Sequence, residues 1–257
     1  MAHNSTRTFR SIDLHSHVLP NLDDGAATLL ESLALARELA ASGVRVAAAT
    51  PHVSKTYPTT PEQIVNALRT VRTALEHVGL DLEVVSGAEV SLEFLDLLDN
   101  ETLRALTFGG TGAYLLVEFP YEDWPTALPD ALASLAAAGI TPLLGHPERN
   151  PVVQAAPQRL AGVVEAGALV QVNAGSLTGA FGAAAANAAH SLLETELVHV
   201  IASDAHRAGG RPIASVAAAQ LPQALATWLL WDVPAAILRG DPPPLRPPRR
   251  RGLRLRR

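Results

Sequence analysis

Nine side chains that can bind metal ions follow strand-like apolar segments in this chain of 257 residues. His15 and His17 are two residues apart in an extended segment, so both imidazoles point to the same side and can bind one ion. Asp204 and His206 repeat this spacing after the last strand-like segment. The full set of candidate ligands is His15, His17, Asp24, His52, Glu89, Glu118, His146, Asp204 and His206. Such groups at the ends of several strands predict a polynuclear metal site.

The types of candidate ligand limit which metal ions can bind and which reactions those ions can support. Nitrogen and oxygen ligands in this mixture suit Mn²⁺, Fe²⁺ or Zn²⁺. A carboxylate can bridge two cations and offset part of their repulsion, so Glu89 or Glu118 is the expected bridge. Two ions about 3.5–4 Å apart can clamp a phosphoryl group and activate a water between them. The remaining histidines, expected to be structural or solvated, are His3, His77, His190 and His199.

Two arginines near the ligand segments are candidates for binding the phosphate oxygens that metal ions leave unpaired. Arg149 follows His146 closely, and Arg211 follows His206. The guanidinium fork has the geometry to meet two phosphate oxygens at once. Either residue could instead be an ordinary surface arginine, and Arg207 competes with Arg211 for the role.

The composition excludes some reaction classes and separates the C-terminus from the rest of the chain. Without cysteine there is no thiolate ligand and no cysteine nucleophile. The net charge of −5 conceals a basic end, where seven of the last twelve residues are arginine. Because proline and arginine at this density cannot form a packed core, we predict a flexible tail at 241–257. An alternative makes this tail the functional element, binding nucleic acid, anionic lipid or an acidic partner, but a solvated charged segment is the commoner case.

The candidate ligands require a scaffold that brings distant strand ends together. Seven β-branched apolar segments predict strands, and alanine- and leucine-rich segments between them predict helices. The predicted strands are 11–14, 44–49, 82–85, 113–117, 140–144, 168–172 and 197–202. The predicted helices include 26–41, 61–77, 126–138, 158–165 and 181–194. This alternation predicts one α/β domain at 11–240, a distorted (β/α)7 TIM-like barrel after an N-terminal arm at 1–10, with the C-terminal strand ends facing one pocket.

Motifs between residues 11 and 212 carry a specific resemblance. They are Asp13-Leu14-His15-Ser16-His17, Asp23-Asp24-Gly25, Ala49-Thr50-Pro51-His52, Gly87-Ala88-Glu89, Val117-Glu118-Phe119-Pro120, Gly145-His146-Pro147-Glu148-Arg149, Gln171-Val172-Asn173-Ala174-Gly175-Ser176-Leu177 and Ser203-Asp204-Ala205-His206. Together they resemble the PHP (polymerase and histidinol phosphatase) family, most of all the manganese-dependent tyrosine-protein phosphatases of bacterial capsule and exopolysaccharide operons. Glu118 favours that branch, because many other branches resemble one another in using histidine there.

The resemblance implies a PHP fold, up to three Mn²⁺ ions and a role for each candidate ligand. It places His15, His17, Glu89 and Asp204 around one ion, Glu89, Glu118 and His146 around a second, and Asp24, His52 and His206 around a third. It further implies that Arg149 and Arg211 bind phosphate and that a metal-bridging hydroxide attacks phosphorus without a covalent phosphoenzyme. The chain departs from the pattern at Val53, where relatives often carry a second histidine, at Arg207, and in its basic tail.

The function implied by this resemblance is hydrolysis of phosphotyrosine in a protein, expected to be a bacterial tyrosine kinase that regulates polysaccharide export. The alternative is a phosphomonoesterase for small molecules, such as a histidinol-phosphate-like substrate. The aromatic segment 119–124 would supply a stacking wall for the substrate or pack on the barrel. We expect a cytoplasmic protein with no membrane span and no specific nucleic acid, whose helix 26–41 offers a contact surface for a homo-oligomer.

Overall fold

The computed structural model describes residues 10–209 and 221–248. Within these ranges nine strands pair in parallel and form two sheets. The strands are β1 (Ser11–Ser16), β2 (Val44–Ala49), β3 (His52–Val53), β4 (Glu83–Ser86), β5 (Glu89–Ser91), β6 (Tyr114–Glu118), β7 (Thr141–Gly145), β8 (Leu169–Asn173) and β9 (Val200–Ala202). One sheet has the order β1-β2-β4 and the other the order β3-β5-β6-β7-β8-β9. The α/β class with parallel strands predicted from the sequence is therefore confirmed.

The number of strands differs from the prediction because two segments change sheets. Pro51 lies between β2 and β3, where its missing N–H would interrupt a ladder. Gly87 lies between β4 and β5, where an added Cβ would come within 3.1 Å of the Phe108 ring. Each new strand begins with a candidate ligand, and these two ligands, His52 and Glu89, are paired directly across β3 and β5. The prediction of seven strands is wrong in this respect, and the breaks place two ligands side by side.

The first and last strands approach each other where the candidate metal ligands lie. Ser16 forms an isolated parallel bridge with Ala205, and the N–H of His17 donates to the carbonyl of Ala205 at 2.8 Å. The N–H of Asp204 donates to the carbonyl of His15 at 2.9 Å. These contacts join the two sheets after β9, but they are not a continuous ladder. Closure into a seven-unit barrel therefore remains a prediction.

Helices cover the sheets between the strands. They are α1 (Leu29–Ala41), α2 (Pro61–His77), α3 (Asn100–Leu106), α4 (Leu128–Ala137), α5 (Pro151–Ala155), α6 (Leu160–Glu165), α7 (Ala174–Leu177), α8 (Gly182–Glu194), α9 (Gln223–Thr227) and α10 (Val233–Arg239). In α2, Thr60 and Gln63 form a capping box, and Ile64 and Leu68 begin the buried face. Helix α1 begins three residues later than predicted because Thr28 accepts the N–H of Glu31 as its N-cap. No helix in the described ranges combines the length and apolarity needed to cross a membrane.

Part of the predicted flexible tail is bound to the domain. The hydroxyl of Tyr114 donates to the carbonyl of Asp241 at 2.8 Å, and Nε1 of Trp228 donates to that of Pro244 at 2.9 Å. Nη1 of Arg246 donates to the carbonyl of Val198 at 2.8 Å. Residues 241–246 therefore contact the domain through backbone carbonyls and an arginine, and a flexible tail over 241–257 stays a prediction. Residues 249–257, like residues 1–9 of the predicted N-terminal arm, lie outside the described residues.

Candidate metal centre

The nine predicted ligands lie together at one edge of the sheets: seven lie at or beyond the carboxyl ends of strands, and His52 and Glu89 begin the short strands β3 and β5 just after β2 and β4 end. Parallel strands of an α/β domain converge on this edge, where such domains place their chemistry. Strand β1 and the loop after it supply His15, His17 and Asp24, strands β3, β5 and β6 supply His52, Glu89 and Glu118, and the segments after β7 and β9 supply His146, Asp204 and His206. Residues almost two hundred positions apart therefore meet in one pocket.

Glu89 lies at the centre of this cluster and is fully buried. Its Oε1 is 2.9 Å from Nε2 of His146. Its Oε2 is 3.1 Å from Nδ1 of His52, 3.2 Å from Nε2 of His15 and 3.5 Å from Nε2 of His17. Of the two carboxylates considered as a bridge, Glu89 has this central geometry.

The ligand atoms form three overlapping groups, and within each group all the atoms lie within 4.8 Å of one another. The groups are His17, Asp24, His52 and His206; His15, His17 and Glu89; and His52, Glu89 and Glu118. Asp204 joins them through Oδ1, which is 3.6 Å from Nε2 of both His15 and His17. The ligand sets implied by the resemblance are thus brought together, with several members near more than one set.

In their neutral forms, His15 in β1 and His17 just after it present unprotonated nitrogens to the centre of the cluster. Nδ1 of His15 lies 2.9 Å from Oε1 of Gln171, and Nδ1 of His17 lies 2.6 Å from Oδ2 of Asp23. Both partners are acceptors, so each Nδ1 carries the proton when the ring is neutral and each Nε2 has a free lone pair. These two Nε2 atoms are 3.3 Å apart, beside Oε2 of Glu89, which accepts no hydrogen bond from any described residue. Such converging lone pairs in a buried site fit a divalent cation.

Asp23 supports the ligands without being one of the predicted set. Its Oδ2 also accepts the N–H of His52 at 2.9 Å, and its Oδ1 accepts the N–H of Gly25 at 2.9 Å. Burial acts to raise its pKa, but the hydrogen bond and charge of His17 outweigh burial and lower the pKa to about 2. Asp23 therefore stays ionised and holds the orientation of His17. Its position next to Asp24 in the sequence is the signal that could have suggested this role.

A series of hydrogen bonds through two amides on β8 links the candidate ligands His15 and Asp204. Gln171 Nε2 donates to Oδ1 of Asn173 at 2.8 Å, and Asn173 Nδ2 donates to Oδ2 of Asp204 at 2.8 Å. Since Oε1 of Gln171 also accepts a hydrogen bond from His15, the two candidate ligands are connected through these amides alone. The sequence prediction placed Asn173 at a strand end but assigned no role to either amide. The sequence feature that could have revealed these roles is the pair of amides two residues apart, on the same side of an otherwise apolar strand.

The charges of the cluster shift the protonation of its members. Burial acts to lower the pKa of His15, but the charges of Glu89 and Asp204 outweigh it and raise the pKa to about 8. Burial and then the charge of Glu89 raise the pKa of Glu118 to about 7. The carboxyl of Glu89 is held well below its usual pKa because the charge of His15 and the hydrogen bond from His146 outweigh its burial. Cations that bind here must therefore displace protons.

Two candidate ligands have strained backbone conformations. His146 has φ 38° and Asp204 has φ 52°, in the left-handed region that residues with side chains seldom adopt. Such conformations cost about 1–3 kcal/mol each and persist where neighbours hold them. The hydrogen bond of Asp204 to β1 and that of the Arg149 N–H to the carbonyl of His146 supply such support. The strain turns both side chains into the cluster.

Arg149 reaches the cluster from the turn after β7. Its Nη1 donates to the hydroxyl of Tyr121 at 2.9 Å and lies 3.6 Å from Oδ2 of Asp204. The guanidinium carbon is 4.6 Å from the ring centre of Tyr121 and 4.4 Å from that of Phe181. Arg211 lies outside the described residues, and Arg207 is exposed. The choice between Arg207 and Arg211 as a second phosphate ligand therefore stays a prediction.

The aromatic segment after β6 divides between core and site. Phe119 is buried and contacts Trp124 edge to face, with ring centres 5.8 Å apart. Tyr121 instead stacks on His146, with ring centres 5.3 Å apart. Packing on the domain thus holds for Phe119, whereas Tyr121 lies at the cluster and a stacking wall for the substrate stays a prediction.

Comparison with known proteins gives the chain its family. It matches the family described as capsular polysaccharide synthesis, CpsB/CapC, over residues 11–226. It is 33% identical over 196 residues to the tyrosine-protein phosphatase YwqE of Bacillus subtilis, covering 76% of this chain and 77% of the relative. It is 32% identical over 209 residues to the tyrosine-protein phosphatase CpsB of Streptococcus pneumoniae, covering 78% of this chain and 85% of the relative.

A solved structure supports the same relationship. It is one of the crystal structures of YwqE from Bacillus subtilis and CpsB from Streptococcus pneumoniae, which are described as unique metal-dependent tyrosine phosphatases. The TM-score is 0.81 at 29% identity, and the match covers 93% of this chain and all of the other. The resemblance seen in the sequence motifs is thereby confirmed. The chain belongs to the CpsB/CapC family of capsular polysaccharide synthesis.

Proposed function

We propose that this chain is a metal-dependent protein-tyrosine phosphatase that hydrolyses phosphotyrosine in proteins of capsule or exopolysaccharide synthesis. The observation that carries the proposal is the convergence of the His15 and His17 Nε2 atoms on buried Glu89, with Arg149 beside the same cluster. The relatives named tyrosine-protein phosphatases support the choice of substrate over a small phosphomonoester.

The nine residues of the cluster would hold the ions, with Glu89 as the shared carboxylate. Divalent ions in such a site supply Lewis acidity toward phosphoryl oxygens and lower the pKa of bound water. We favour Mn²⁺ from the family resemblance, and the nitrogen and oxygen ligands also suit Fe²⁺ or Zn²⁺. Gln171 and Asp23 would keep the imidazoles of His15 and His17 in the tautomer whose Nε2 faces the ions.

Arg149 and Tyr121 would bind and orient the phosphoryl group. The guanidinium can meet two phosphoryl oxygens, because its planar fork matches their spacing. Burial raises the pKa of Tyr121 far above its ordinary value, although the charge of Arg149 opposes this, so the hydroxyl keeps its proton. It can therefore donate a hydrogen bond to a substrate oxygen. The leaving group of phosphotyrosine is a phenol with a pKa of about 10, which departs with less need of a proton donor than an aliphatic alcohol does.

Finer features of the proposal rest on the sequence and the family. We include Arg211 as a second phosphate ligand, closure of the strands into a distorted (β/α)7 barrel, and a cytoplasmic location. The protein substrate would be a bacterial tyrosine kinase. Helix α1, with Leu30 exposed, is the surface proposed for a homo-oligomer.

The experiment is phosphate release from a phosphotyrosyl peptide with and without added Mn²⁺. Intact protein is compared with the double variant His15→Ala/His17→Ala and with the control His77→Ala, which removes an exposed histidine at the end of α2. Bound metal is measured by mass spectrometry in each sample. We expect metal-dependent turnover in intact protein and in the control, and loss of both metal and turnover in the double variant.

Two outcomes would contradict the proposal at different points. Turnover that survives in the double variant would remove the metal site from the reaction. Metal binding without turnover of the peptide, combined with fast phosphate release from small phosphomonoesters such as histidinol phosphate, would replace the protein substrate by a metabolite.

A further inference from the structure

The guanidinium of Arg149 is held by an aromatic residue from a separate part of the chain. Phe181 lies just before α8, and its ring centre is 4.4 Å from Cζ of Arg149. A guanidinium at this distance from an aromatic ring face is attracted electrostatically and has fewer accessible rotamers. Phe181 has no polar side-chain atom, so its effect on Arg149 comes from this ring contact and from packing.

Gly175 in α7 makes room for this ring. A Cβ added at Gly175 would lie 2.6 Å from Cε2 of Phe181 and within 3.3 Å of two further ring atoms. The first distance is closer than side chains tolerate, so any larger residue at this position would displace the ring. Gly175 therefore allows Phe181 to lie where it contacts Arg149.

Glu148 fixes the two segments relative to each other. Its Oε1 accepts the N–H of Asn173 at 2.9 Å and the hydroxyl of Ser176 at 2.6 Å. Ser176 follows Gly175 in α7, whereas Glu148 immediately precedes Arg149. Helix α7, against which Phe181 packs, is thus joined to the backbone next to Arg149 through one buried carboxyl group.

We propose that Phe181, seated against Gly175, is a positioning residue that holds the Arg149 guanidinium in the orientation that binds the substrate phosphate. The inference rests on the proposed function, in which Arg149 binds phosphate. It adds a determinant of substrate affinity in the loop between α7 and α8, outside the metal ligands and outside the aromatic segment that follows β6. The loss of the ring should therefore weaken phosphate binding and leave metal binding unchanged.

The test measures steady-state kinetics on a phosphotyrosyl peptide and inhibition by inorganic phosphate, using the metal-loaded full chain. The variants are Phe181→Leu, Phe181→Tyr and Gly175→Ala, each alone and with Arg149→Ala. The control is Gly162→Ala, because an added Cβ there meets nothing within 4 Å. Bound metal and thermal unfolding are measured for every variant.

We expect Phe181→Leu to raise KM and the inhibition constant of phosphate by roughly 3- to 30-fold, the range of a partly desolvated cation–π contact, with a smaller change in kcat. Gly175→Ala should change both constants in the same direction, and Phe181→Tyr should retain most of the affinity. In the Arg149→Ala background, Phe181→Leu should add less than about a twofold change, because the contact it removes is already absent.

Three results would overturn the inference, and they separate it from the proposed function. Equal effects of Phe181→Leu with and without Arg149 would show that the ring acts elsewhere. Unchanged phosphate affinity in both Phe181→Leu and Gly175→Ala, when Arg149→Ala weakens it, would remove the positioning role alone. Unchanged phosphate affinity in Arg149→Ala would remove the phosphate role proposed for that arginine and the inference with it, while metal-dependent turnover would still support the phosphatase.

Discussion

Nδ1 of His15 lies 2.9 Å from Oε1 of Gln171, and through Asn173 this amide is linked to Asp204. The contact fixes which imidazole nitrogen of His15 carries the proton and therefore which one faces the cluster. A candidate ligand on β1 and another after β9 are thereby oriented by one pair of amides on β8. Partners of this kind affect metal binding although they do not touch the ion.

Replacing Gln171 by leucine should weaken metal binding by about 10- to 100-fold, because the His15 ring loses the acceptor that fixes its tautomer. Gln171→Glu keeps the acceptor for His15 but loses the donor to Asn173, so it should retain more of the affinity than Gln171→Leu does. Chelator competition with Mn²⁺ measures both variants. Equal metal affinity in Gln171→Leu and intact protein would show that His15 is oriented by other contacts.

Gly25 should tolerate no side chain. A Cβ there would lie 2.4 Å from the carbonyl oxygen and 2.5 Å from Cβ of His17. We expect Gly25→Ala to shift the loop that carries Asp23 and Asp24, and to lower metal content and turnover at least tenfold, since each tenfold loss needs only about 1.4 kcal/mol. Gly162→Ala in α6 is the control, because it meets no neighbour and alanine favours a helix. Similar activity of the two variants would contradict the crowding at Gly25.

The convergence of the candidate metal ligands is the feature of this molecule that the sequence predicts best. His15, Glu118 and Asp204 are polar groups at the ends of apolar strands, and the geometry of parallel sheets requires such ends to converge. The roles of Gln171 and Asp23 are harder to predict, because they depend on which neighbours face each side chain after folding.

The division of the strands and the path of the C-terminus depend on contacts between distant segments. The change of sheet before His52 can be suspected from Pro51, but its pairing with Glu89 depends on packing between separate units. Similarly, the composition after Gly240 predicts a flexible tail and gives no sign that Arg246 contacts carbonyl groups and a ring of the domain. Local composition does not reveal such partners.

His199 should make stability depend on pH. Burial and then the charge of Arg246 lower its pKa from 6.5 to about 4, and its Nδ1 accepts the N–H of Val170 at 3.2 Å. The unfolded chain binds this proton first as the pH falls, so the stabilisation is complete above the unfolded pKa and is lost between about pH 6.5 and pH 4. Between about pH 7.5 and pH 5, metal-free wild type should lose up to about 2 kcal/mol more of its unfolding free energy than His199→Gln does. Urea unfolding at both pH values measures the difference, and parallel losses in the two proteins would contradict the shifted pKa.

Arg246 should stabilise the domain through the segment after Gly240. Its Nη1 donates to the carbonyls of Val198 and Glu196 at 2.8 and 3.3 Å, and its guanidinium lies 5.1 Å from the ring centre of Trp228. We expect Arg246→Met to lower the free energy of unfolding by about 1–2 kcal/mol, because hydrogen bonds from a charged group are lost at a partly buried site.

Arg239→Met is the matched control for Arg246→Met, since Arg239 pairs with Asp241 on the surface and is 61% exposed. It should change stability by less than about 0.5 kcal/mol. Because the charge of Arg246 also helps to lower the pKa of His199, Arg246→Met should reduce the pH dependence assigned to that histidine, whereas Arg239→Met should leave it unchanged. Urea unfolding of both variants at the two pH values tests the two effects together. Equal stability of the two variants would show that the Arg246 contacts contribute nothing, and the segment would then depend on its other contacts, such as those with Trp228 and Tyr114.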